Sequence, residues 1–144
     1  MSKIIALLLF AFLAPLASAE ENAVTWLKGT WKSNRELSVP TLKTNKPVTP
    51  ELRAKLENVF GKMTQEFTGS EMTIDMPAID GKPAWHQTAT YSIAAAMGNK
   101  ISLRWTDPDT KKSETFVLTF ESPDRYWMAL PNPGWREYFD RVKK

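Results

Sequence analysis

The sequence has no cysteine and only one histidine among its 144 residues. Without cysteine there can be no disulfide, so the stability of the fold must come from a packed core. A thiolate nucleophile is excluded as well. The chain also lacks a Gly-x-Ser-x-Gly elbow, paired histidines and a phosphate-binding glycine loop. These absences predict that the protein is not an enzyme.

Long apolar runs are also absent, apart from one at the start of the chain. Lys3 precedes an apolar run from Ile4 to Leu13, Pro15 follows it, and Ala17-Ser18-Ala19 has the small residues of a signal peptidase site. The run is well short of the roughly 20 residues that a membrane-spanning helix needs. We therefore predict a signal peptide over residues 1–19, cleavage before Glu20, and a periplasmic or secreted protein.

Charge of one sign is not concentrated anywhere in the chain. Nineteen basic and sixteen acidic residues are interspersed, with a formal net charge of +3. Nucleic-acid binding requires a concentrated basic face, so this pattern argues against it. The length of residues 20–144 suits one domain. We expect a monomer with no stable membrane insertion.

One amphipathic helix is predicted after an irregular segment from Val39 to Val48. Thr49 is a suitable N-cap, Pro50 suits the first turn, and Gly61 ends the helix. Apolar residues recur with helical spacing between these signals, at Leu52, Leu56, Val59 and Phe60.

The rest of the chain is predicted to be β-structure. The composition from Trp26 to Leu37 indicates a first strand, and the chain after Gly61 alternates apolar and polar residues between turn signals about every ten positions. Seven strands after the helix and one before it make eight. Eight antiparallel strands joined by hairpins predict an all-β, up-and-down β-barrel with one short helix. A flat or sandwiched sheet with the helix on one side is the alternative.

Both ends of the predicted domain carry residues that resemble a known superfamily. The segment Leu27-Lys28-Gly29-Thr30-Trp31-Lys32 resembles the Gly-x-Trp opening strand of the calycins, the lipocalins and fatty-acid-binding proteins. The resemblance implies that Trp31 plugs the closed end of a barrel and that Arg141, on the last strand, lies across its indole ring. Gly29, Trp31 and Arg141 are thus predicted to close the barrel. The chain stops too soon after Arg141 for the long helix of lipocalins, so it resembles a small bacterial lipocalin-like domain.

Large aromatic side chains are candidates for lining an interior pocket. The chain has six tryptophans, which either bind a flat apolar ligand or simply fill a small barrel. The predicted ligand-binding residues are Trp85, Tyr91, Trp105, Phe116, Met128 and Trp135.

A carboxylate clamp is the competing interpretation of the last strand. Arg136 and Tyr138 match the Arg-x-Tyr pair with which fatty-acid-binding proteins hold a carboxylate. However, residues two apart share a face of a strand, so an inward Arg141 turns Glu137 inward and Arg136 outward. Both arrangements cannot hold on one regular strand.

No metal, cofactor or catalytic residue is predicted. His86 lies opposite the apolar face of its strand, and Asp107 and Asp109 are typical of a turn. Single carboxylates such as Glu66, Asp75 and Glu114 favour surface positions.

Together these features predict an exported lipocalin-like protein that binds a small apolar or amphipathic ligand in the barrel interior. The alternative is a filled barrel that binds or inhibits another envelope protein. A small barrel-type hydrolase or isomerase is the third possibility.

Overall fold

The chain folds as a closed eight-stranded antiparallel barrel. A computed structural model describes residues 18–43 and 48–144, with side chains from residue 23 onward. Each strand pairs with the next, and the last pairs with the first. The strands are β1 (Gly29–Asn34), β2 (Thr64–Phe67), β3 (Glu71–Met76), β4 (Trp85–Met97), β5 (Lys100–Thr106), β6 (Ser113–Ser122), β7 (Arg125–Ala129) and β8 (Arg136–Arg141). The predicted fold class is confirmed.

Pairing between the first and last strands removes both edges of the sheet. β1 and β8 run antiparallel, and their register places Trp31 opposite Arg141 and Ser33 opposite Phe139. A closed barrel leaves no unpaired strand for edge-to-edge association. The flat or sandwiched sheet is therefore wrong.

The first strand is shorter than the sequence pattern indicated. Helix α1 (Ser18–Leu27) occupies the start of the predicted strand, and helix α2 (Arg35–Ser38) occupies its end. The strand stops at Asn34 because the side chain of that residue accepts a hydrogen bond from the backbone N–H of Leu37 and caps α2. The segment from Trp26 to Leu37, which was predicted to be one strand, therefore contains the end of a helix, a strand and the start of a second helix.

Helix α3 (Pro50–Val59) begins and ends where the sequence predicts. The hydroxyl of Thr49 accepts a hydrogen bond of 3.2 Å from the backbone N–H of Leu52, and Gly61 follows the helix at a φ of +85°. Its predicted apolar stripe is only partly packed, because Leu52 is 44% exposed while Phe60 is buried. The expectation of one helix is wrong: the described part of the chain also contains α1, α2 and a 3₁₀ turn over Val39–Thr41.

Two apolar clusters stabilise the barrel. The larger one fills the interior and includes Ala23 and Leu27 of α1, so this helix packs into the end of the barrel where β1 begins. The smaller one joins Leu42, Phe60 and Trp135. It holds the connection between β1 and β2 against the start of β8.

Residues 1–17 and 44–47 lie outside the described residues, so the signal peptide stays a prediction. Helix α1 runs across the predicted cleavage site before Glu20. The core residues that it contributes, Ala23 and Leu27, follow that site and belong to the predicted mature protein. Among the helices described, none is long and apolar enough to cross a bilayer.

Candidate functional site

One end of the barrel is closed by packed aromatic rings around Trp31. Trp31 is fully buried, and its ring makes edge contacts with Phe120 at 5.8 Å and Tyr126 at 4.8 Å between centroids. Tyr126 in turn stacks on Phe139 at 5.1 Å. The indole N–H of Trp31 donates to the carbonyl of Leu27 at 3.0 Å. This bond fixes α1 to the barrel floor.

Arg141 covers the same ring from outside. Its guanidinium carbon lies 4.3 Å from the centroid of the Trp31 ring, a distance at which a cation is attracted to the face of the ring. The guanidinium also donates to the carbonyl of Lys28 at 2.8 Å and to that of Pro123 at 2.9 Å. Arg141 therefore joins β8, the β6–β7 turn and the end of α1. This closure has the geometry that the resemblance to the lipocalins implied.

A cavity of about 160 Å³ lies inside the barrel, between β2, β3 and β5 to β8. Two of its ten lining residues are polar, Gln65 and Glu137. The apolar wall consists of Met63, Phe67, Met72, Ile74, Leu103, Phe116, Leu118 and Met128. An apolar wall with a few polar groups is the usual composition of a small-molecule site.

Gln65 links the cavity to the aromatic floor. The buried hydroxyl of Tyr126 donates to the Oε1 atom of Gln65. The amide nitrogen of Gln65 has a 3.4 Å contact with the sulfur of Met63, a weak acceptor. Because the strong acceptor of the amide faces Tyr126, its donor side faces the cavity wall.

Glu137 brings a carboxyl group into the interior. It is 7% exposed, and its Oε1 atom accepts a hydrogen bond of 2.7 Å from the hydroxyl of Ser33. Ser33 itself accepts the backbone N–H of Gly61 at 2.9 Å. Ser33 is therefore held from both sides, and it directs its single proton at the carboxyl group.

Burial changes the titration of both interior acids. It raises the pKa of Glu137 above its ordinary value, and the hydrogen bond from Ser33 opposes that rise only in part. Burial also raises the pKa of Tyr126 well above its ordinary value, and the charge of Glu137 adds to this effect. Tyr126 thus stays a neutral hydrogen-bond donor at physiological pH.

The predicted ligand-binding residues separate into three groups. Phe116 and Met128 line the cavity. Trp105 is buried in the interior cluster, on the same face of β5 as Leu103, with its ring 5.8 Å from that of Phe116. Tyr91 packs edge-on against Phe67 and donates its hydroxyl to the carbonyl of Thr68, near the β2–β3 turn. Trp105 and Tyr91 therefore support the wall, which corrects their predicted position in the cavity.

Trp85 and Trp135 lie away from the cavity. Trp85 is 47% exposed and borders a surface hollow beside α3. Trp135 is buried in the smaller cluster with Leu42 and Phe60. The sequence prediction placed both inside the barrel, because alternation put Trp85 on the apolar face of its strand and Trp135 on the same face as Arg141. At the strand ends they instead contact the segment that carries α3.

The sequence prediction omitted the two polar residues of the cavity, Gln65 and Glu137. Strand alternation contained a signal for the second of them, because an inward Arg141 turns Glu137 inward. The same alternation leaves Arg136 outside, where its guanidinium carbon lies 4.0 Å from the centroid of the Trp127 ring. The inward carboxylate clamp is therefore wrong, and the interior carries an acid in its place.

The other polar candidates lie at the surface. His86 pairs with the exposed side chain of Asp75. Asp107 accepts the backbone N–H groups of Asp109 and Thr110 at 2.8 and 2.9 Å, and these bonds lower the pKa of Asp107. Glu66 and Glu114 are exposed strand residues. No group of three potential metal ligands occurs within residues 18–43 and 48–144.

Comparison with known proteins yields a similarity of fold. No protein-family model and no curated protein matches the sequence. Among solved structures, the chain is similar to a lipocalin-like protein from Bacteroides uniformis ATCC 8492, with 13% sequence identity and a TM-score of 0.44. The match covers 81% of this chain and 99% of that one.

Proposed function

We propose that this protein is an exported lipocalin-like binding protein that holds a small apolar or amphipathic molecule inside its barrel. The observation that carries the proposal is the interior cavity of about 160 Å³, whose wall is apolar except for Gln65 and Glu137. Binding would remove the apolar surface of the ligand from water, and this burial would supply most of the binding free energy.

The size of the cavity limits the ligand. An apolar cavity of about 150 Å³ accommodates benzene, whereas sites for drug-sized ligands are typically about 300–1,000 Å³. A compact molecule with one ring therefore fits, and a fatty acid or retinoid requires the wall to move. Met63, Met72 and Met128 make the wall adaptable, because methionine has a flexible, unbranched side chain.

Filling the cavity is expected to abolish this binding. In Phe116→Trp the larger ring would extend into the cavity, whereas in the control variant Val117→Trp it would face solvent, since Val117 is the next residue on β6 and is 50% exposed. Toluene at about 100 times its dissociation constant stabilises a binding protein by about 2.7 kcal/mol. We expect this stabilisation in the wild type and in Val117→Trp, and little of it in Phe116→Trp, as measured by urea unfolding with and without toluene.

Two outcomes would contradict the proposal. Toluene that fails to stabilise the wild type would show that the cavity does not admit a ligand. Equal stabilisation of the Phe116→Trp and Val117→Trp variants would place the toluene site outside the barrel. Native mass spectrometry of the protein from its own host would then identify any retained natural ligand.

Export is the second part of the proposal. It is supported by the charged start, apolar run and small-residue site within residues 1–19. We expect the exported protein to begin at Glu20, and N-terminal sequencing of the protein from the periplasmic or extracellular fraction measures this directly. A chain in that fraction that retains residues 1–19 would contradict cleavage.

A second candidate function is binding to another envelope protein. One observation favours it: Trp85 is 47% exposed beside a hollow of about 400 Å³ between α3 and the β3–β4 connection. Exposed tryptophan is enriched at protein interfaces. This candidate becomes the leading one if toluene does not bind the interior.

A further inference from the structure

The cavity has an acidic end with no positive charge to balance it. Glu137 is its one titratable lining residue, and no lysine, arginine or histidine contributes to the wall within the described part of the chain. Gln65, the other polar residue, is neutral. The interior field at this end is therefore set by a single carboxyl group.

One oxygen of this carboxyl group is left available to a ligand. Oε1 of Glu137 accepts from Ser33, whose only proton is committed to that bond. The other oxygen has no hydrogen-bond partner among the residues that the structure describes. The hydroxyl of Tyr126, whose pKa the charge of Glu137 raises, is committed to Gln65. The cavity thus presents an unpaired acceptor to whatever occupies it.

A carboxylate that is only 7% exposed and has no counter-charge is unfavourable, because it has lost most of its contact with water. A ligand ammonium group placed at this oxygen would supply both a hydrogen-bond donor and the missing charge. A ligand carboxylate would instead add a second negative charge to the same low-dielectric site. The apolar remainder of the cavity suits the hydrocarbon body of the ligand.

We propose that the barrel selects small amphipathic amines, with the ammonium group on Glu137 and the apolar body against the methionine and phenylalanine wall, and that it rejects carboxylates. This proposal rests on the proposed function of the cavity and names the class of ligand. A single ring with one aminomethyl group matches the size of the cavity.

Three probes that share one ring and differ in the head group test the proposal. Isothermal titration calorimetry at neutral pH measures the affinities of the wild type for benzylamine, benzyl alcohol and benzoate. We expect benzylamine to bind the wild type at least about tenfold more tightly than benzyl alcohol, which corresponds to one additional charge-assisted hydrogen bond. Benzoate is expected to bind more weakly than either.

The variant Glu137→Gln keeps the shape of the side chain and removes its charge. We expect it to lose the tenfold preference for benzylamine while its affinity for benzyl alcohol changes by less than about threefold. The control is Glu66→Gln, which removes an exposed carboxylate from β2 next to Gln65. This control is expected to retain the wild-type order of the three probes.

The outcomes separate this inference from the proposed function. If benzyl alcohol binds as tightly as benzylamine, or if Glu137→Gln keeps the preference, the amine selectivity is overturned and a ligand-binding barrel remains. If toluene binds but none of the three probes does, only the amine selectivity is overturned. If neither toluene nor any of the three probes binds, the cavity is not a binding site, and both proposals fail. Should Glu137→Gln not fold, the order of the three probes on the wild type decides the question alone.

Discussion

Replacing Trp31 with alanine is expected to lower the free energy of unfolding by about 3–5 kcal/mol, the usual cost of deleting a large aromatic side chain from a core. Trp31 is fully buried, and its ring contacts Phe120 and Tyr126. Its indole N–H also holds the carbonyl of Leu27. The substitution therefore removes both the packing of the barrel floor and the attachment of α1. Urea unfolding measures the loss.

The contact between Trp31 and Arg141 makes a more specific prediction. Because the guanidinium lies on the ring face, the losses in Trp31→Ala and Arg141→Ala are expected to be non-additive by about 0.5–1 kcal/mol in a double-mutant cycle. Arg104→Ala, at an exposed position on β5, serves as the control and should combine additively with Trp31→Ala. Additivity for Arg141 as well would show that its position over the ring contributes no coupling energy.

Gly29→Ala is expected to lower the free energy of unfolding by about 2–4 kcal/mol, from backbone strain together with the displacement of Arg141. Gly29 has a φ of +134°, a region that is essentially restricted to glycine. A Cβ atom there would lie 2.5 Å from Nη1 of Arg141. That nitrogen donates to the carbonyl of Lys28, so moving it breaks one of the hydrogen bonds that join β8 to the end of α1.

Two other glycines separate the contributions to this loss. Gly69 has an ordinary φ, and an added Cβ would approach Lys28 no closer than 3.9 Å, so Gly69→Ala should change stability by less than about 0.5 kcal/mol. Gly134 has a φ of +83° with open space around it, so Gly134→Ala should cost only the backbone strain of about 1–2 kcal/mol. A Gly29→Ala loss no larger than that of Gly134→Ala would show that the close approach to Arg141 is unimportant. The loss should also shrink when Arg141 is already alanine.

Much of the barrel could be predicted from local patterns. Alternation with period two identifies the strands after Gly61, and the turn residues between them separate one strand from the next. Helix α3 was equally predictable, because Thr49 and Gly61 act on the backbone immediately beside them. These features depend on neighbours in sequence, which the sequence displays directly.

Elements near the start of the domain were harder to predict. Residues from Trp26 to Leu37 have the composition of a strand, yet only Gly29–Asn34 pairs with β2 and β8. Where a strand ends depends on the length of its partners and on caps such as Asn34. The helical state of α1 depends on burying Ala23 and Leu27 in a barrel end that exists only after folding.

The candidate site shows the same division. Phe116 and Met128 line the cavity because alternation places them inward, and an aromatic or sulfur side chain suits such a wall. The predicted positions of Trp85 and Trp135 were wrong, because alternation gives the face of a residue but does not show whether it lies beside the cavity or at the end of a strand. Glu137 was overlooked as a site residue, because an acid is rarely buried. The inward position of Glu137 can be inferred only from the side of the strand on which Arg141 lies.

The sequence by itself determined the number of strands, the alternation of their faces and the pair of residues, Trp31 and Arg141, that meet at the closed end. The first two of these properties follow from periodicity, and the third follows from the resemblance of both ends of the domain to the lipocalins. The tertiary structure alone decided that space remains inside, and that a carboxyl group and an amide border it. A cavity is the volume that side chains from six strands leave unfilled, so its size depends on strand tilt and rotamers throughout the barrel.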